Sequence, residues 1–310
     1  MEETDSSLTA ESITKSFLAG GVAAMCAKTV VAPLDRMKIL LQAQNVHYKD
    51  SGVLRGLHRI VVKENTAALF RSNGAQMARV FPQGALQFAF YEILKRTIPL
   101  VTTYQRDDHN LKFVAGSLAG LISVTATYPL DAIRSRLANQ VAGQTKYRGI
   151  FQTGELIFST EGGLRGLYRG LTPTLIGIIP YSGLAFYFFE LNKSLAVTYC
   201  GWARVTEQDG SVRVSLAGRL LCSGMAGAFS QTVSYPLDVV RRRMQVGGVE
   251  GGMMKVFWTT YQEAGVVRGL FRGMTVNYMR AIPQTAVLFS VYETLKQWMG
   301  VQTGLKISSL

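Results

Sequence analysis

The string Pro-Leu-Asp occurs three times in this chain, at Pro33-Leu34-Asp35, Pro129-Leu130-Asp131 and Pro236-Leu237-Asp238, at offsets of 96 and then 107 residues. Each copy has a basic residue three positions beyond its aspartate: Lys38, Arg134 and Arg241. Each has small residues thirteen and nine positions before its proline: Gly20 and Ala24, Gly116 and Gly120, Ser223 and Gly227. About 37 residues after the proline comes an aromatic-basic pair, Phe70-Arg71, Tyr168-Arg169 or Phe271-Arg272. A second apolar stretch follows, containing Pro82, Pro180 or Pro283, and it closes on Tyr91-Glu92 with Lys95, Phe189-Glu190 with Lys193, or Tyr292-Glu293 with Lys296. One such string is noise; the same features in the same order three times make an internal repeat. Two apolar segments per copy predict six helices with pseudo-symmetry about an axis, as in many transporters.

Charge placement says what solvent those helices meet. The chain has 33 Lys and Arg against 20 Asp and Glu, yet only 17% of its residues are charged and its mean hydropathy is positive, so the basic residues lie outside a set of apolar segments. Phe113 to Leu130, Leu171 to Phe189 and Leu220 to Leu237 carry no charge over 18, 19 and 18 residues. Runs of that length span a bilayer as helices. Three more stretches, 14–42, 73–97 and 274–297, are apolar but interrupted by charges, which inside a membrane must face water or a partner. The expected fold is therefore an all-α membrane protein: six transmembrane helices in three two-helix repeats around a central cavity. Its parts are an N-terminal tail (1–13), repeats at 14–98, 109–196 and 213–298, and a C-terminal tail (299–310).

A proline inside a helix removes a backbone bond and bends it, so Pro33, Pro129 and Pro236 predict kinks that gather three helix ends together. At that point Asp35, Lys38, Asp131, Arg134, Asp238 and Arg241 cannot face hydrocarbon, and a ring of ion pairs between helices satisfies all six. We expect Asp35 to meet Arg134, Asp131 to meet Arg241 and Asp238 to meet Lys38. Glu92 and Lys95, Glu190 and Lys193, and Glu293 and Lys296 offer a second ring at the opposite face. The small residues four apart read as surfaces of close helix approach.

Other classes fit less well. Three scattered histidines and no convergent nucleophile and base argue against an enzyme. The apolar spans argue against a nucleic-acid binder despite the net charge of +13. Cys26, Cys200 and Cys222 lack metal-ligand spacing, and we expect neither metal nor cofactor. Glu2, Glu3, Asp5 and Glu11 leave no basic leader in the first 15 residues, so targeting information is expected to be internal.

The pattern Pro-x-Asp-x-x-Lys/Arg, then aromatic-basic-Gly, then aromatic-Glu-x-x-Lys, resembles the mitochondrial carrier family across all three repeats. The resemblance implies an inner-membrane monomer with short matrix helices between the membrane helices. It makes the first ring a matrix gate braced by Gln42 and Gln245, and the second, with Tyr91, Phe189 and Tyr292, a cytoplasmic gate; both termini then lie in the intermembrane space. It also implies a bound anionic lipid of the cardiolipin type. The chain departs from the pattern at Leu40, where a basic residue is usual, at Ala138, where the third brace would stand, and at Asn65 and Ser72, which replace glycines.

Within that family, the run from Ala27 to Arg36 resembles nucleotide and coenzyme A carriers. The family's contact points lie three residues before the even-helix prolines, here Arg79, Gly177 and Arg280. Gly177 with Ile178 would then admit adenine, since glycine lets a flat ring approach the backbone. Arg79, Arg280 and Lys28 would engage phosphates. Gln76, Gln83, Gln87, Thr174, Tyr181 and Asn277 are further lining positions. The implied solute is coenzyme A or a related adenine nucleotide, with an ADP/ATP or ATP-Mg/phosphate type exchanger as the alternative. Arg241-Arg242-Arg243-Met244-Gln245 departs at Gln245 from the Arg-Arg-Arg-Met-Met of ADP/ATP carriers.

Overall fold

The computed structural model describes residues 2–48, 51–101, 109–141, 143, 146–199, 204–206, 212–247 and 251–300. Its helices break where the first two repeat prolines stand. Helix α1 (Glu2–Val30) and helix α2 (Ala32–Gln42) meet at a bend of 63°, and α5 (His109–Ala126) meets α6 (Tyr128–Asn139) at 54°. Between them Val31 and Thr127 sit near φ −91°, outside the helical region, and the proline falls in the first turn of the following helix. There its missing N–H is one the helix would leave unbonded anyway. The third repeat differs: α10 (Leu216–Val246) runs unbroken through Pro236, so the expected threefold kink becomes two breaks and one continuous helix.

The second helices of the repeats are α4 (Asn73–Val101), α9 (Leu171–Tyr199) and α12 (Met274–Trp298), each continuous through its internal proline. Short helices lie between first and second: α3 (Val53–Lys63), α7 (Ile150–Thr160) with the single turn α8 (Leu164–Leu167), and α11 (Met253–Gly265). One addition to the all-α expectation is a two-stranded antiparallel ribbon between α9 and α10, β1 (Arg204–Thr206) and β2 (Val212–Val214). Backbone helicity begins at Glu2, ahead of residue 14 where the first repeat was expected to start. By length and apolarity alone, among the described residues, Leu164–Tyr199 qualifies as a span, and the two bent pairs raise the number to 3.

The chain forms two compact units, one of Met1–Tyr168 with Thr275–Leu310 and the other of Arg169–Met274. In the first, α2, α3 and α12 enclose a core of Met37, Leu40, Leu41, Tyr48, Ile60, Ala68, Val141 and Val276, and a smaller cluster of Ala75, Ile133, Leu137 and Ile157 joins α4, α6 and α7. In the second, α9 lies along α10, and Val240, Met244 and Val256 tie α10 to α11. The aromatic-basic pairs find a packing role. Tyr168 stacks on Tyr128 with centroids 6.0 Å apart, and Phe271 stacks on Tyr235 at 6.3 Å, each ring covering the residue before a repeat proline. Repeat 1 has Ala32 at that place and so offers Phe70 no ring.

The small-residue expectation is corrected. A Cβ at Gly120 or Gly227 would meet open space, and at Gly20 or Gly116 it would stand 3.9 or 4.0 Å from Tyr292 or Tyr91, which is ordinary contact. On α1 a close approach falls instead at Gly21, where a Cβ would lie 2.5 Å from the ring of Phe81. Phe17 meets that ring edge-on at 6.5 Å, so the pair of aromatics fills the space that only glycine leaves.

Candidate functional site

The break at Val31 sets Asp35 in the first turn of α2, where a carboxylate favours the helix N-terminus. Asp35 is 4% exposed and accepts from two guanidinium groups: Arg134 Nη2 on α6 reaches Oδ2 at 2.6 Å, and Arg280 Nη1 on α12 reaches Oδ1 at 2.9 Å. The expected Asp35–Arg134 pair is therefore present. Asp131, buried in the first turn of α6, accepts from Arg79 on α4. Lys38 Nζ donates to Asn277 Oδ1 at 2.9 Å, and the same oxygen accepts from Arg280 Nε at 3.1 Å. Lys28, one helical stretch earlier on α1, donates to Gln284 Oε1 at 3.2 Å and lies within electrostatic range of Asp35, Arg280, Arg134 and Arg79. Around two aspartates the first unit thus gathers four cations, Lys28, Arg79, Arg134 and Arg280, an excess of two positive charges among these six groups.

That geometry revises the reading of Arg79 and Arg280. They are not waiting in the cavity with unshared forks; each is an ion-pair partner of a gate aspartate. Counting back from the even-helix prolines finds them, but a linear sequence does not show that one turn separates a contact point from the gate. Asn277 and Gln284, which fix Lys38, Arg280 and Lys28, carried only a weak signal in the first case and none in the second.

Asp238, Arg241 and Gln245 belong to α10 in the second unit. There Gln231 Nε2 donates to Asp238 Oδ2 at 3.3 Å and Arg242 Nη1 to Gln245 Oε1 at 2.8 Å, so Gln245 braces a neighbouring arginine. Gln42 is not a brace: it is fully buried and both its amide atoms lack a partner among the described residues. Gly177 is half-buried against Leu237 of α10, with room for a methyl group at 3.6 Å, and Ile178 beside it is half-buried. Thr174 donates to Gly170 O of its own helix at 2.8 Å.

At the far ends of the second helices, contacts are local. Lys193 pairs with Glu190 one turn away at 3.2 Å with both groups largely exposed, and Lys296 sits 5.3 Å over the ring of Tyr292 on the same helix. These two bases engage their own helices. Phe189, Tyr91, Glu92, Lys95 and Glu293 are half-buried.

Three ion pairs made by buried arginines were not expected. Arg136 pairs with Glu161 at 2.5 Å and Arg243 with Glu263 at 2.6 Å; both arginines stand five residues after the repeat aspartate, where repeat 1 has Leu40. In repeat 1 the partner of Glu64 is Arg36, four residues before Leu40 and on the same helix face, at 2.7 Å. Arg36 is fully buried and also donates to the carbonyls of Ala138, Gln140 and Ala68, while Arg71 donates to Gln140 O and pairs with Glu64. Tyr48 donates to the same carboxylate at 3.1 Å, its phenol pushed up by burial and by that charge, so it stays protonated. Asn45 takes the carbonyl of Asn139. The last carbonyls of α6 are thus capped by side chains of repeat 1.

A family model described as "Mitochondrial carrier protein" matches residues 9–101, 107–199 and 212–302. "Solute carrier family 25 member 16" of Mus musculus is 46% identical over 293 residues, covering 92% of this chain and 88% of the relative. "Mitochondrial carrier protein CoAc2" of Zea mays is 38% identical over 300 residues, covering 91% and 85%. "Mitochondrial adenine nucleotide transporter ADNT1" of Arabidopsis thaliana is 37% identical over 318 residues, covering 94% and 89%.

Proposed function

The chain belongs to the mitochondrial carrier family, multi-pass transporters of the inner membrane, and from that premise we propose that it carries coenzyme A or a related adenine nucleotide by alternating access. The observation that supports this most is the cluster of Lys28, Arg79, Arg134 and Arg280 around Asp35 and Asp131. Forked guanidinium groups suit phosphate oxygens, and all three of these forks are already held by carboxylates that a phosphate resembles in charge. A solute with several phosphates would take Arg79 and Arg280 in exchange for Asp131 and Asp35. Drawing Arg280 away leaves Asp35 on Arg134 alone, and weakening the hold on a buried carboxylate is costly, so the exchange of partners loosens the gate at the moment the solute is bound. The apolar turn of Gly177 and Ile178 is the part of α9 read as receiving adenine. Binding of a cardiolipin-type lipid and a monomeric state belong to the same proposal.

A second reading, an adenine-nucleotide exchanger, is favoured by the printed name of the relative from Arabidopsis thaliana. Purified protein in liposomes, loaded in parallel with coenzyme A, adenosine 3′,5′-diphosphate, ADP and ATP, separates the two. Uptake of coenzyme A or the 3′,5′-diphosphate is expected; uptake confined to ADP and ATP selects the second reading, and uptake of none of the four refutes both.

A further inference from the structure

Helix α3 presents three separate edges. Gly56 and Ile60, with Val53 and Leu57, face the core of the first unit. Leu54 (75% exposed) and Val62 (69%) form an apolar edge open to the surroundings. Arg55, Arg59 and Lys63, all exposed, stand four residues apart in a single column on the remaining edge. At 1.5 Å per residue that column is about 12 Å long. Among the described residues no carboxylate pairs with it; the adjoining Glu64 is buried and already holds Arg36, Arg71 and Tyr48. Its one anchored member is Arg59, which donates to His47 O at 2.9 Å.

The other two repeats lack the column. At the same register α7 has Gln152, Leu156 and Thr160, and α11 has Lys255, Thr259 and Glu263. The apolar edge, in contrast, recurs: Phe151 is 92% exposed and Met254 71%, at the places equivalent to Leu54. An exposed apolar edge on a short helix of a membrane protein rests at the boundary of headgroups and acyl chains. The edge beside it then lies at the level of the phosphates. We infer that the Arg55–Arg59–Lys63 column of α3 docks on anionic phospholipid headgroups, giving repeat 1 alone an electrostatic hold on the membrane surface. The inference needs only the membrane, and it stands whatever solute is carried.

The full-length protein in phosphatidylcholine micelles or vesicles, titrated with phosphatidylglycerol, provides the test, with thermal unfolding as readout. The wild-type protein is expected to be stabilised as the anionic fraction rises. In Arg55→Gln/Lys63→Gln, which keeps the Arg59 bond to His47, half-maximal stabilisation should need roughly twenty-fold more anionic lipid, about fivefold for each cation removed. Arg55→Lys/Arg59→Lys, which keeps the charge, should behave as wild type. Raising the salt should erase the difference, since exposed charges are screened beyond about 8 Å at physiological ionic strength. Equal titrations for wild type and the glutamine variant would overturn the inference. So would equal stabilisation by free inorganic phosphate in pure phosphatidylcholine, which would make the column a site for soluble anions. Uptake in neutral vesicles should be the same for both proteins, which separates this test from that of the solute.

Discussion

At the scale of single residues, the chain places arginine where two duties meet. Arg280 holds Asp35 with one nitrogen and Asn277 with another, and a phosphate must compete with both. Arg280→Ala is expected to weaken all phosphorylated solutes by about 2–5 kcal/mol in a binding or thermal-shift measurement. Gly177→Ala, whose added methyl has room beside Leu237 at 3.6 Å, should spare the fold and reduce binding of adenine-bearing solutes relative to inorganic phosphate. Normal coenzyme A binding by the alanine variant and by a bulkier Gly177→Val would end the adenine reading. Glu64→Gln should cost stability more than any gate substitution, about 3–5 kcal/mol, because it leaves Arg36 charged and buried. Placing arginine at Leu40 should restore part of the unfolding temperature lost in Arg36→Ala, since that is the register from which Arg136 and Arg243 reach Glu161 and Glu263. The rescue is partial because the carbonyls of Ala138 and Gln140 lose their donor.

At the scale of elements, the repeat pattern told most of the story. Six long helical paths, two in each repeat, and the Asp35–Arg134 contact were legible from the spacing of prolines and charges. What was not legible depends on geometry between elements. The sequence offers no reason for α10 to pass Pro236 unbroken when the chain breaks before Pro33 and Pro129. It flags the missing base at Leu40, yet Arg36 was visible one turn earlier on the same face and its substitution went unread. Gln42 keeps the residue type of a brace without the bonds of one. Because Pro236 sits inside a continuous helix, where proline costs about 3 kcal/mol relative to alanine, Pro236→Ala should raise the unfolding temperature. Pro33→Ala, at a first turn, should leave it nearly unchanged. Equal shifts in the two variants would contradict the difference in helix continuity.

At the scale of the whole molecule, the proposed six spans would return the chain to the side of the membrane on which it began. Protease added to mitoplasts should remove a tag on Met1 and spare the segment near Lys146; a protected tag would reverse the proposed topology. The charge swap Asp35→Arg with Arg134→Asp should recover part of the transport that either change alone abolishes, and it should recover only part because Arg280 then faces a like charge. That doubly held aspartate has a kinetic consequence for the cell. An anion with a single phosphate can occupy one fork and leave the carboxylate still fastened by the other. In the proposed cycle, full release of Asp35 would then need both Arg134 and Arg280 to be drawn away together, which a solute with several phosphates can do and a small single anion cannot.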